Sequence, residues 1–139
     1  MTARTPHPHF NDQGTLDWHT RFAQALAAAR EGKKLVFIEM GREACGQCRS
    51  LVQSVVPRPD VAAFLREHFV ALASDADDTE DEVLELANKL EDAYMLPFVM
   101  FTDAQGQYLA GFSGAVTPPS FLATLQALVQ ASGTATDRR

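Results

Sequence analysis

The chain has only two cysteines and one tryptophan among its 139 residues. No run approaches the roughly 18–20 consecutive apolar residues of a membrane-spanning helix. The uncharged stretch Ala93–Thr102 is about half that length and is broken by Pro97, so no membrane partner is expected. Basic residues are few: 12 Lys and Arg stand against 18 Asp and Glu, a net charge of −6. A chain without clustered Lys and Arg is poorly suited to a phosphate backbone, which argues against nucleic acid as a partner. Seven of the acids fall between Asp75 and Glu85, but that stretch has no glycine for the central turn of a calcium loop. It reads instead as a solvated loop entering the first turn of a helix, where acids favour the dipole. The first 17 residues lack an apolar signal core and carry prolines at 6 and 8, so neither a signal peptide nor a transit helix is expected. The corresponding localisation is cytoplasmic, or periplasmic or secreted if a leader precedes this sequence. Repeats are also missing, as are low-complexity tracts apart from the acidic stretch.

What is present is a globular balance, 46% hydrophobic and 22% charged, in a length suited to one domain. The expected organisation is a flexible segment over 1–16, a domain over 17–132 and a flexible tail over 133–139. Trp18, Phe22, Ala25, Leu26 and Ala29 are spaced for one face of a helix starting near Asp17 and ending at Gly32. Residues 34–40 form a nearly continuous apolar run, the pattern of a strand buried on both faces, interrupted by Glu39. A second helix opens near Cys45, with Cys48, Leu51, Val52 and Val55 on its inner stripe. Pro57 and Pro59 stop it, and a short helix with Val61, Phe64 and Leu65 follows. A strand over 69–74, a helix bearing Val83, Leu86, Ala87 and Leu90, and strands over 98–102 and 107–112 come next. Thr117 and Pro118 open a last helix, closed by Gly133. Strands alternating with helices, then a hairpin, predict an α/β fold: a central mixed sheet flanked by helices, with a helix at the N-terminus.

Both cysteines lie in Cys45-Gly46-Gln47-Cys48, after a buried strand and at the start of a helix. Two intervening residues bring the sulfurs within disulfide reach in one helical turn. Unpaired N–H groups and the positive dipole end favour a thiolate on Cys45, while Cys48 turns inward. Half of a zinc site is the first alternative, but none of His7, His9, His19 and His68 has suitable spacing to the cysteines. A purely structural disulfide is the second, and it would close too small a loop to stabilise much. A redox pair fits the placement best.

With this motif, residues 33–40, His68-Phe69-Val70-Ala71 and residues 94–106 around Pro97, the chain resembles the thioredoxin superfamily from about Trp18 to Val129. It is most similar to single-domain thioredoxin-like proteins related to small disulfide oxidoreductases of the endoplasmic reticulum and bacterial thiol-disulfide proteins. The resemblance implies a cis Pro97 against the two cysteines, with the backbone of Leu96 pairing to a bound substrate strand. It places Glu39, six residues before Cys45, as the proton acceptor for Cys48, and a carboxylate among Val36, Phe37, Ile38 and Met40 would be desolvated into a stronger base. The alternatives for Glu39 are solvent or a pairing with Lys33, Lys34 or Arg42. Gly46, Gln47, Gly111 and Phe112 are the remaining substrate-site candidates; Phe112 could equally be core. Ala44 stands where thioredoxins usually carry tryptophan, and Arg42 and Arg49 could supply charge near the thiols. The implied activity is thiol-disulfide exchange on protein or peptide disulfides, without cofactor or metal, recycled by a reductase or thiol pool, by a monomer. A non-catalytic binding or chaperone-like module is the rival, and a metal-handling protein a more remote one.

Overall fold

The computed structural model describes residues 4–137. Its elements are β1 (Trp18–His19), α1 (Phe22–Gly32), β2 (Leu35–Gly41), α2 (Gly46–Ser50) continuing as a π-helical turn (Leu51–Val55), α3 (Pro59–His68), β3 (Phe69–Asp75), α4 (Asp81–Ala87), β4 (Phe98–Thr102), β5 (Tyr108–Ser113) and α5 (Pro118–Asp137). One five-stranded sheet has the order β1-β3-β2-β4-β5. β3 runs parallel to both β1 and β2, whereas β4 is antiparallel to β2 and to β5. The mixed sheet with flanking helices is as expected from the alternation of patterns. Among the described residues no helix is long and apolar enough to cross a membrane.

β2 is the central strand and every one of its residues is buried. Because side chains alternate along a strand, its two faces feed two different cores. Leu35 and Phe37 join a core with Cys48, Leu51, Val52, Val61, Leu65, Phe101, Phe121 and Leu125. Val36, Ile38 and Met40 join the other, with Phe22, Ala25, Ala29, Val83 and Leu86 from α1 and α4. Glu39 shares the parity of Leu35 and Phe37, so its carboxyl enters the core that holds Cys48. Thr117 receives the N–H of Ser120 on its side chain at the start of α5, as its capping role requires.

Several details differ from the sequence reading; β2, β3 and β5 shift or extend by a residue, and α4 ends at Ala87, short of Leu90. Trp18 belongs to a two-residue strand rather than to a helix, which starts only at Phe22; its indole is nonetheless buried. α5 does not stop at Gly133 but runs on to Asp137. In the N-terminal segment, expected to be loose over 1–16, His7, Phe10, Asp12, Thr15 and Leu16 are buried while the residues between them are mostly exposed. Residues 1–3 and 138–139 of the two expected loose ends lie outside the described residues.

Asp12 is the knot of that segment. One carboxylate oxygen accepts the N–H of Gly14, and the other accepts the N–H of Leu16 and the indole N–H of Trp18. The segment is also tied to β1 by the Trp18 N–H donating to the Thr5 carbonyl. Removing a buried acceptor strands its donors, at about 1–3 kcal/mol. Asp12→Ala is therefore expected to lower the free energy of urea unfolding by about 2–3 kcal/mol. A loss below about 0.5 kcal/mol would mean that water replaces the carboxylate without cost.

Candidate active site

The loop between β2 and α2 carries the two cysteines, which are joined as a disulfide with their Cα atoms 5.3 Å apart. Cys45 is the N-cap of α2, in extended backbone conformation, and its sulfur accepts the N–H of Cys48 at 3.1 Å. It is half-buried, with Gly46 exposed beside it, so the first sulfur is reachable from solvent. Cys48 is fully buried in the core between the sheet and the helices that follow. Cys45, at the cap, thus stands at the surface end of α2 while Cys48 lies on its inner stripe, as the sequence pattern anticipates.

Glu39 is 1% exposed. Its oxygen Oε1 lies 2.7 Å from Nε2 of His7, and Oε2 has no hydrogen-bond partner among the described residues. A Cβ placed on Gly41 would collide with both Glu39 Oε2 and Cys48 Sγ. The free oxygen and the inner sulfur therefore border the same small space, which exists because residue 41 has no side chain. None of Lys33, Lys34 and Arg42 reaches the carboxylate: Lys34 donates to the Arg66 carbonyl and Arg42 pairs with Asp77 at 2.9 Å. Arg49 lies over the ring of Phe10, 5.5 Å from its centroid. Ala44 is exposed.

Leu96–Pro97 is a cis peptide bond, and Pro97 is buried. The Pro97 carbonyl accepts the N–H of Gly114. A Cβ on Gly114 would lie 3.4 Å from the Met95 side chain and 3.8 Å from Gln47 Oε1, so the proline loop and the cysteine helix meet across that glycine. Gln47 Oε1 is buried without a hydrogen-bond partner among the described residues. Leu96 packs against the same core as Cys45, and no backbone hydrogen bond engages it among the described residues.

Gly111 belongs elsewhere. It sits within β5 opposite Met100, and a Cβ there would strike Leu90 and approach Tyr108 and the Val99 carbonyl. Its missing side chain makes room for Leu90, and the glycine adjoining the cysteine helix is Gly114, with φ +86°. Phe112 packs on the core, its ring edge-on to Phe121 at 6.3 Å. Of the sequence candidates, then, Glu39 and Cys48 adjoin one another beside Gly41, and Gln47, Leu96 and Pro97 gather beside the helix start. Gly111 and Phe112 are occupied in packing. Among the described residues, no group of three or more His, Cys, Asp or Glu is arranged to hold a metal ion.

The model of the family described as thioredoxin-like matches residues 17–104, which span β1 to the end of β4. The chain belongs to the thioredoxin-like family. Solved structures agree with this fold. A thioredoxin from Thermus thermophilus superposes with a TM-score of 0.68 at 21% identity, covering 83% of this chain and 88% of its own. A candidate disulphide-isomerase from Bacteroides thetaiotaomicron gives 0.65 at 27% identity, covering 80% and 88%. The oxidised C-terminal domain of DsbD from Neisseria meningitidis gives 0.57 at 20% identity, covering 76% and 90%. A search of curated protein sequences finds no match. The residues that sequence reasoning missed are His7 and Gly41. Gly41 could have been suspected as the glycine that ends a wholly buried strand, but His7 carries no local signal at all.

Proposed function

We propose that this thioredoxin-like protein is a thiol-disulfide oxidoreductase that reduces protein or peptide disulfides through Cys45 and Cys48. The observation that carries this reading is the pairing of an accessible sulfur at a helix start with a buried sulfur beside an unpartnered carboxylate oxygen. In the reduced protein, the Cys48 N–H aimed at Cys45 Sγ favours the thiolate there. That thiolate attacks one sulfur of a client disulfide; the client S–S bond breaks, and the departing client thiolate takes a proton from water. Cys48 then gives its proton to Glu39 Oε2 and attacks Cys45 Sγ. The mixed disulfide breaks, the second client thiolate leaves, and the Cys45–Cys48 bond forms. Two electrons have passed to the client, and Glu39 releases its proton to solvent. A reductase or a thiol pool restores the dithiol.

The client segment would lie along Leu96, whose free backbone groups offer a short strand pairing, beside Gly46 and Gln47. Tyr94 and Met95, 85% and 53% exposed, add apolar surface next to that strand. The relatives described as a thioredoxin and a disulphide-isomerase are of the kind this reading requires.

The test is equilibration of the full chain against glutathione and dithiothreitol buffers, with thiol trapping to count reduced protein, alongside reduction of insulin disulfides. A potential near or below about −250 mV, with insulin reduced, is expected for a reductase suited to a reducing compartment. A potential above about −200 mV would replace the reducing direction with oxidation or isomerisation. No exchange in either assay would overturn the enzymatic reading.

A further inference from the structure

The side chain of His7 is 2% exposed, and its two ring nitrogens have different partners. Nδ1 accepts the backbone N–H groups of His9 and Phe10, at 3.0 and 3.2 Å. A nitrogen that accepts these bonds carries no proton, so the ring proton sits on Nε2. Nε2 lies 2.7 Å from Glu39 Oε1 and therefore donates to it. The ring cannot swing away, because it stacks on Phe10 with centroids 5.3 Å apart and stands edge-on to Trp18 at 4.7 Å. Trp18 is in turn held by Asp12. A turn of the N-terminal segment, 32 residues away in sequence, thus holds one oxygen of Glu39 and leaves the other facing Cys48.

We propose that His7 is a positioning residue of the redox site: its Nε2–H anchors Glu39 Oε1 so that Oε2 alone is presented to the Cys48 thiol. This rests on the reading of Glu39 as the proton acceptor for Cys48. The proton on Nε2 stays in place through the cycle; the one that moves passes from Cys48 Sγ to Oε2 and on to solvent. Among the described residues, no other titratable or charged group around this unit hydrogen-bonds Glu39. His9 stands edge-on to His7 at 5.9 Å, Asp12 accepts the Trp18 indole N–H, and Arg49 covers Phe10. Across the sheet, the neighbours of Glu39 are the apolar Ala73 and Val99. Among the described residues, His7 is therefore the one donor that sets which oxygen is free.

The experiment follows oxidation of the reduced 139-residue chain by oxidised glutathione, separating attack by Cys45 from resolution by Cys48, across pH 5 to 9. His7→Phe keeps an aromatic ring and removes the donor. It is expected to slow resolution by about tenfold or more and to change the pH profile of that step, with attack by Cys45 within about twofold of wild type. His7→Gln, which can still donate, is expected to recover most of the rate. If Glu39→Gln leaves resolution at the wild-type rate, the reading of Glu39 itself fails. If Glu39→Gln slows resolution and His7→Phe does not, only the role of His7 is overturned. Should His7→Phe fail to fold, ¹⁵N NMR of the wild-type histidine decides: Nε2 protonated and Nδ1 bare supports the proposal, and a proton on Nδ1 overturns it.

Discussion

Cys48→Ser is expected to halt the reaction half-way, accumulating protein joined to its clients through Cys45, while Cys45→Ser stops it before it starts. The asymmetry follows from burial. Only Cys45 is accessible, so without it no sulfur can reach a client disulfide, and the fully buried Cys48 cannot substitute. Insulin reduction by Cys45→Ser should fall by at least about a thousandfold, to the background of the thiol buffer. In Cys48→Ser the attacking thiolate keeps its backbone donor, because that donor is the N–H of residue 48 and not its side chain. The first bond still forms, but nothing resolves it, and non-reducing gels after incubation with disulfide-containing proteins should show adducts that dithiothreitol removes. This variant also separates turnover from the rival reading of a binding module. A protein that only grips clients along Leu96, Tyr94 and Met95 would hold them equally well in both variants, and reduction would not alter the yield.

The features legible from sequence are those whose partners lie nearby in the chain or whose pattern is periodic. The buried run of β2, the Cys45–Cys48 turn, the hairpin after Pro97 and the Thr117 cap are all of this kind. The parity of Glu39 was readable too, since two residues from Phe37 must face the same core. Its partner was not. The cations close in sequence were the natural candidates, yet Lys34 and Arg42 are drawn to the Arg66 carbonyl and to Asp77, and the partner is His7. The anchoring of the N-terminal segment is illegible for the same reason. Its polar, proline-broken composition has no repeat, and it is fixed by single residues, Asp12 on Trp18 and His7 on Glu39, that only the folded chain brings together. Trp18 shows the converse error: helical spacing toward Phe22 and Ala25 is real, but a two-residue strand beside β3 takes precedence. For Gly111, motif position cannot reveal that Leu90 fills the space above it.

Two glycines five residues apart are expected to answer oppositely when given a methyl group. At Gly46, the first residue of α2, a Cβ meets nothing within 4 Å. Alanine is the better helix former there and restricts the unfolded chain, so Gly46→Ala should raise stability by about 0.5–1 kcal/mol. At Gly41 the new Cβ would lie 2.6 Å from Cys48 Sγ and 3.0 Å from its Cβ, besides striking Glu39 Oε2. Neither obstacle is a free side-chain end. Cys48 is fixed within α2, Glu39 is held by His7, and the backbone of Gly41 is paired in β2 and accepts the N–H of Ala76. Overpacking of this kind costs about 1–3 kcal/mol, and Gly41→Ala should lose that much in urea unfolding. The methyl group can be accommodated only by parting Oε2 from the inner sulfur. Resolution by Cys48 should therefore slow by about tenfold or more even in the fraction that remains folded, while attack by Cys45 is spared. If Gly41→Ala were destabilised and yet resolved mixed disulfides at the wild-type rate, the space between Glu39 and Cys48 would be a matter of packing alone, and proton transfer across it would have to be abandoned.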